Sequence, residues 1–456
     1  MKQIRYTSPE ISNEAQKLID RDRKVMFGAH TRTREIPLVV DHAQGARVTD
    51  INGRTYLDFG AGFAVVGTGH CHPDVIKAVN GQIQKLIHIS GSDFYYEPQI
   101  ALAEKIIEIT PGAFGKRVYF GSSGAEAVET TLKIARHFRR RPRMISFIGA
   151  FHGRTFAGMT MSGSKKIQRG HFSALIPEVY HVPFPYCYRC VFDKTYPACI
   201  SKDFDGVPLP HCVSYLSDVI FERLIDPEDV SLILVEPIQG EGGFITPPPE
   251  YFPKIQKIAG KYDIALIIDE VQTGVGRTGK FFAIEHWRIA PDILTLAKSL
   301  AGGMPLSAII ARKEMINKIH VGGLGGTFSG NPVSCRAGLA VLEVLLEDNL
   351  LQRAEKLGQR VLSQFQELQE KYEIIGDIRG KGPMLAMELV RDRETKEPAK
   401  EEADKLVKLC YDKGLVLLSC GNFGNVIRTL MPLVITDEQL ERGLSILEEG
   451  FQKLTT

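Results

Sequence analysis

The sequence predicts an α/β fold: a large domain on a mostly parallel sheet, and a smaller α+β domain drawn from both ends of the chain. Three observations point there. From about residue 74 to 330, short apolar runs alternate with helical periodicities, the pattern of strands joined by crossover helices. Forty-three glycines suit a chain with many tight strand-to-helix turns better than a helical bundle. Near residue 331 the character changes to long helices followed by mixed strands.

The elements follow in order. EAQKLIDRDRKVM (14–26) reads as a short helix, and strand-like pieces over 47–58 surround the hairpin signal Asn52-Gly53. Helical periodicity covers 74–87 and 98–109. The strand RVYF (117–120) enters GSSGAEA and a helix to about 139, and MISFI (144–148) ends at GAFHGRT. SLILVEP (231–237), IALIID (264–269), ILTLA (293–297) and SAIIA (307–311) complete the large sheet. Helices at 332–347 and 350–372, strands at 384–389, 415–418 and 426–429, and a helix at 436–453 end the chain. The expected division is 1–73 with the small domain, 74–330 as the large domain carrying an insertion at 186–212, and 331–456 as the rest of the small domain.

Composition removes several classes of function. In 456 residues, 56 basic side chains balance 54 acidic ones, for a net charge of +2, so neither nucleic-acid binding nor an acidic tail is indicated. MKQIRYTSPEISNEAQ carries no apolar run, and runs such as LILV (232–235) are too short to span a bilayer, so a soluble, cytoplasmic protein is expected. Half of the eight cysteines lie within 187–212, and scattered cysteines in such a chain are normally reduced thiols.

Parallel sheets bind ligands at the carboxyl ends of their strands, so the chemistry is sought there. Gly121-Ser122-Ser123-Gly124-Ala125-Glu126 opens a helix, whose free N–H groups bind phosphate; alone, a capped helix start explains it better. Phe151-His152-Gly153-Arg154-Thr155 offers a ring for stacking and a guanidinium for a carboxylate, or equally a core aromatic beside a surface arginine. Glu236 and Glu241 sit on a Gly-rich loop, as acid/base groups or as solvated charge. Asp269 and Lys298 each end an apolar strand; a partly buried lysine is a Schiff-base nucleophile, and the plainer reading is a structural ion pair. Together, a phosphate cup, a stacking aromatic, a nucleophilic lysine and a buried aspartate are the four fittings of pyridoxal 5′-phosphate, with Asp269 facing the pyridine nitrogen.

Eight stretches carry a resemblance to a known family: LDFGAGFAVVGTGHCHP (57–73), GSSGAEAVE (121–129), FHGRT (151–155), EPIQGEGG (236–243), IIDEVQTGVGRTG (267–279), PDILTLAKSLAGGMPL (291–306), GGTFSGNP (325–332) and LLSCGNFGNVIRTLMPL (417–433). The chain resembles the class III, or omega, aminotransferases of the fold-type I pyridoxal-phosphate architecture, the 4-aminobutyrate aminotransferases above all. The resemblance implies that Lys298 carries the cofactor and shuttles the proton, and that Asp269 holds the pyridine nitrogen. It implies that Val271 and Phe151 cover the ring faces, Gln272 bonds the ring hydroxyl, and Ser123, Gly124, Ala125, His152 and Glu236 complete the cofactor site. Thr327 would reach the phosphate of a neighbouring subunit, which makes the protein a homodimer with shared sites, open to higher assembly. Arg154 would clamp the substrate carboxylate remote from the amine, and Arg428 the α-carboxylate of 2-oxoglutarate. Glu241 would neutralise Arg428 while an ω-amine is bound and release it for the 2-oxo acid. The implied reaction is ping-pong transfer from an ω-amino acid, giving a semialdehyde and glutamate.

Two places depart from the family. Phe63 stands where several relatives have a smaller aliphatic residue or a tyrosine, and should line the substrate end. Residues 186–212 read as an insertion with Cys187-x2-Cys190, Cys199 and His211-Cys212. CxxC with further cysteines is zinc-like, yet the later spacings fit no standard knuckle; the expectation is a cap over the active-site mouth with reduced or disulfide-linked thiols and no metal. The rivals are an ornithine, lysine or acetylornithine donor, a racemase on the same scaffold, which would need a second base from the EPIQGEGG loop, and a non-catalytic binding protein.

Overall fold

The computed structural model describes residues 11–28, 36–204 and 207–455, so the beginning of the N-terminal stretch judged for a leader lies outside the described residues. A seven-stranded sheet forms the centre. In chain order its strands are β1 (Lys116–Gly121), β2 (Arg143–Phe147), β3 (Val179–Val182), β4 (Val230–Val235), β5 (Ala265–Asp269), β6 (Ile293–Leu296) and β7 (Ser307–Arg312), arranged β1-β7-β6-β5-β4-β2-β3. Only β7 runs against its neighbours β1 and β6, so the carboxyl ends of the other six point to one edge.

The sheet is apolar on both faces because both are covered. Leu232, Leu234, Ile267, Ile293 and Ile309 pack with Val128 and Leu132 of the helix Gly124–Arg139. The alternate positions Ile233, Val235, Leu266, Ile268 and Ile310 enter the main core on the opposite face. This is the two-residue period of a strand, and each such side chain contributes about 1.5–3 kcal/mol by leaving water.

The termini build two further four-stranded sheets. One joins Val40–Gln44, Arg47–Asp50 and Thr55–Asp58 to Leu415–Val416. The other runs Ile375–Lys381, Met384–Leu389, Val426–Thr429, Leu418–Cys420 and is antiparallel throughout. The single strand expected at 415–418 is therefore two. Leu415–Val416 pairs parallel with Leu57–Asp58, whereas Leu418–Cys420 pairs with Val426–Arg428. The helix expected over 74–87 ends at Ile83, where Lys85 and Leu86 turn back to donate to the Gln82 carbonyl. Sequence reasoning also passed over the helices Tyr251–Lys261 and Lys400–Asp412 and the strand Ile375–Lys381. Among the described residues, no helix is long and apolar enough to cross a membrane.

Candidate active site

Strand register brings the predicted residues together. β5 and β6 are parallel, with Asp269 opposite Thr295, so Asp269 and Lys298 leave the same sheet edge on adjacent strands. Every predicted site residue except Thr327, Phe63 and Arg428 lines one cavity of about 490 Å³ at that edge.

Asp269 is buried and has partners within the protein. His152 Nδ1 donates to Oδ2 at 2.7 Å, while the Val271 N–H (3.0 Å) and the Thr295 hydroxyl (3.3 Å) donate to Oδ1. His152 thus orients the aspartate from behind, and its own Nε2 is buried without a hydrogen-bond partner among the described residues. Lys298 stands beside it, half-buried in the cavity wall, and desolvation lowers its pKa against the opposing pull of Glu241, Asp269 and Glu236. Its φ of +42° lies in the left-handed region, a strain typical of functional positions.

The remaining fittings rest on close backbone approaches. Ser123 caps the helix Gly124–Arg139 by accepting from the Glu126 N–H at 3.2 Å, and Gly124 and Ala125 are its first residues, whose N–H groups have no intrahelical acceptor. A Cβ at Gly124 would stand 2.9 Å from Val271, so only glycine lets the helix start meet that side chain. A Cβ at Gly240 would fall on the Gln272 side chain, whose Oε1 is buried and unpartnered among the described residues. Glu236 accepts from the Phe151 and Gly240 N–H groups, each at 2.9 Å, and so ties two strand-end loops together. Burial raises its pKa to about 7, with the His152 charge opposing the shift.

At the far end of the cavity Arg428 Nη1 donates to Glu241 at 2.8 Å. Arg428 is almost wholly buried, with its guanidinium 5.5 Å from the Phe63 ring centre and 6.0 Å from that of Phe244. Burial alone would raise the Glu241 pKa, but the Arg428 charge and hydrogen bond outweigh it and hold the carboxyl at about 2. Arg154 is exposed at the mouth, 6.0 Å from the half-buried Phe151 ring, and makes no ion pair among the described residues. Phe63 is half exposed, and Thr327 is exposed on the Gly325–Gly330 loop, away from its own chain's cavity.

Sequence reasoning missed the supports. Glu270, beside Asp269, accepts from the Thr273 hydroxyl and from the Ile284 N–H at 2.8 Å, and so braces the loop after β5. Arg277, buried in the Gly-rich tail, donates to the carbonyls of Leu430 and Met431 at 2.9 and 2.8 Å, just beyond Arg428. Glu388 is fully buried and binds Arg379 (2.7 Å), Arg189 (2.5 Å) and the Tyr186 hydroxyl; Arg379 Nε in turn donates to the Gly243 carbonyl at 2.7 Å. The insertion is thereby fastened to the loop that carries Glu241. A glycine-flanked arginine was the one available signal for Arg277; nothing local in the sequence marks Glu388.

A helix N-terminus opening on Gly124 and Ala125, a buried acid held by an imidazole, a half-buried lysine and an amide oxygen unpartnered among the described residues together suit a flat, phosphate-bearing pyridine cofactor. Comparison with known proteins agrees. Residues 29–451 match the class-III aminotransferase family. The chain is 42% identical over 418 residues to a 5-aminovalerate aminotransferase of Pseudomonas aeruginosa, covering 92% of this chain and 94% of that one. It is 40% identical to a 4-aminobutyrate aminotransferase of Escherichia coli (91% and 94% covered) and 40% identical to a leucine/methionine racemase of Thermococcus litoralis (95% of each). An amine transaminase from an uncultivated Pseudomonas species, solved with pyridoxal phosphate bound, superposes with a TM-score of 0.84 at 30% identity, over 94% of this chain and 98% of that one. The chain belongs to the class-III aminotransferases. Its cofactor is pyridoxal 5′-phosphate.

Proposed function

We propose that this enzyme moves the amino group of an ω-amino acid, 4-aminobutyrate first among candidates, to 2-oxoglutarate by a ping-pong route. The observation that carries this reading is the Glu241–Arg428 pair at the edge of the cavity that Glu241 shares with Arg154, which makes no ion pair among the described residues. With Arg428 neutralised, Arg154 is a cation available to a donor whose only carboxylate lies remote from its amine. With Glu241 swung away, Arg428 can take the second carboxylate of 2-oxoglutarate. Neither state leaves a buried charge alone. Relatives named for 4-aminobutyrate and 5-aminovalerate support the donor class.

Pyridoxal phosphate supplies an aldehyde that captures the donor amine and a ring that withdraws electrons from the carbon bearing it. Lys298 holds the cofactor between turnovers, and its Nζ removes the proton from that carbon. Desolvation shifts this amine towards its neutral form by lowering its pKa. Asp269, set by His152, holds negative charge against the ring nitrogen. Val271 and Phe151 would flank the ring, Gln272 would meet its hydroxyl, and Ser123, Gly124 and Ala125 would take the phosphate, with Glu236 bracing the loops. Thr327 serves the phosphate site of a second subunit. A homodimer also accounts for the exposed apolar side chains of Ile87, Phe94, Tyr95 and Phe328, the last with its ring centre 5.0 Å from that of His88.

Racemisation is the second reading, because a racemase is as similar as the 4-aminobutyrate aminotransferase. It needs a free second base, and both acids of the EPIQGEGG loop are engaged, Glu236 by two N–H groups and Glu241 by Arg428. The deciding experiment adds 4-aminobutyrate, without 2-oxo acid, to the yellow holoenzyme. Loss of the visible absorption with release of succinic semialdehyde is expected. A spectrum that persists refutes 4-aminobutyrate as donor and directs the assay to ornithine and lysine, then to single enantiomers of α-amino acids.

A further inference from the structure

The insertion brings four cysteines to the lining of one small cavity from two separate local structures. Cys187 opens a single 3₁₀ turn, Cys187–Arg189, and Cys190 closes it. Residues three apart in a 3₁₀ turn eclipse one another, so the CxxC pair presents both sulfurs on one side. Cys199 directly precedes a hairpin, Ile200–Phe204 with Val207–Pro210, and Cys212 follows it. Ile200 pairs with Pro210, which brings the position after Cys199 alongside one just before Cys212. The long spacing that fits no zinc knuckle in the sequence is thus a short knuckle with a hairpin inserted into it. All four cysteines line the same small cavity, of about 20 Å³, and none is in a disulfide.

We propose that Cys187, Cys190, Cys199 and Cys212 bind one zinc ion as a structural four-thiolate site. A cavity of about 20 Å³ admits a single ion rather than an iron–sulfur cluster. No carboxylate lines it; its ligating side chains are the four cysteines and His211, and four thiolates in tetrahedral array make a closed zinc set without the imidazole. The side chain of Lys194 lines the same cavity and offsets part of the net negative charge of such a centre. As each Zn–S bond forms, the S–H bond it replaces gives up its proton to solvent. Among the described residues no three donors are yet gathered around one point as ligands, so the sulfurs turn inward on binding.

The site would hold more than itself. Arg189 lies between Cys187 and Cys190 and Tyr186 directly before them, and both grip Glu388, which Arg379 links to Gly243. A fixed turn keeps that chain of contacts in place.

The test is metal analysis of the untagged holoenzyme, grown with zinc and purified in reductant without chelator. About one zinc per chain is expected, with the four thiols unreactive to a thiol reagent until an organomercurial releases the metal. Cobalt exchanged into the site should give intense thiolate-to-cobalt absorption. Cys199→Ser and Cys212→Ser should each lose the metal while Cys71→Ser keeps it, with circular dichroism checking the fold. Zinc below about a tenth per chain, with the thiols freely reactive or found as disulfides by mass, overturns the proposal. So does zinc that survives both the Cys199 and Cys212 variants.

Discussion

The two ends of the active-site cavity are built on different principles. At the sheet edge, Asp269, Lys298 and Glu236 follow neighbouring strands of the central sheet that run the same way, and Asp269 and Glu236 have fixed hydrogen-bond partners there. At the far end, Glu241 comes from a Gly-rich loop and Arg428 from a strand of the C-terminal sheet, 187 residues later, and one ion pair joins them. The first end suits a group that never leaves. The second suits ligands that alternate, because the Glu241–Arg428 ion pair can open while the sheet and the backbone contacts of the loop stay still.

Removing Lys298 should separate binding from turnover most sharply. Lys298→Ala is expected to lower kcat by about 10³-fold or more, since it removes the proton carrier. It should still retain pyridoxal phosphate through the other end-of-strand contacts, read as cofactor copurifying after gel filtration. Turnover near the native rate would show that the lysine is not the reacting amine.

Glu241→Gln attacks the other end. It leaves Arg428 buried without its counter-charge, and should slow the 4-aminobutyrate half-reaction by roughly tenfold more than the 2-oxoglutarate half-reaction. Equal losses, measured by stopped-flow absorption of the cofactor, would refute the alternating pair. pH gives an independent check. The Glu241 carboxyl is depressed in the folded protein, to about 2, so the stabilisation it provides is complete above the ordinary carboxylate range and is lost as pH falls towards 2. The pair should therefore give no break in the half-reaction between about pH 5 and 9.

The same contrast governs what could be read from the sequence. The sheet edge was legible because each residue follows its own apolar run: IALII delivers Asp269 and ILTLA delivers Lys298, with no long-range information needed. The supports were not legible, because their partners lie far away. Glu388 meets Arg189 across 199 positions, and Leu415–Val416 looks continuous with Leu418 until Leu57–Asp58 claims it for another sheet. The strand Ile375–Lys381 carries three charged residues and two glycines and is mostly half-buried, so no apolar period marks it. In the insertion, the hairpin is what makes the cysteine spacing intelligible.

Arg379 tests whether the bracing matters to the mobile end. Arg379→Ala leaves Glu388 buried with Arg189 and Tyr186 only and frees the Gly243 carbonyl. Loss of one partner of a buried pair costs about 3–5 kcal/mol, less here because Arg189 remains. Thermal unfolding should fall by several degrees, and the 4-aminobutyrate half-reaction should slow more than cofactor affinity changes. If cofactor affinity falls as far, the network supports the whole site and not the Glu241 loop.

The smallest expected effect is at Phe63. Its ring stands 5.5 Å from the Arg428 guanidinium, and it is half exposed, so the cation–π contact is worth only about 0.5–1 kcal/mol. Its backbone already lies at φ +64°, so a leucine inherits the strain without adding to it. Phe63→Leu should therefore fold normally, and it should change the ratio of half-reaction rates for 4-aminobutyrate and 5-aminovalerate by no more than about tenfold, the scale of one methylene in a pocket. The direction is informative: opening space beside Arg428 should favour the longer donor. An unchanged ratio with a weaker 2-oxoglutarate half-reaction would mean that Phe63 serves Arg428 alone, and that donor length is set at the Arg154 end.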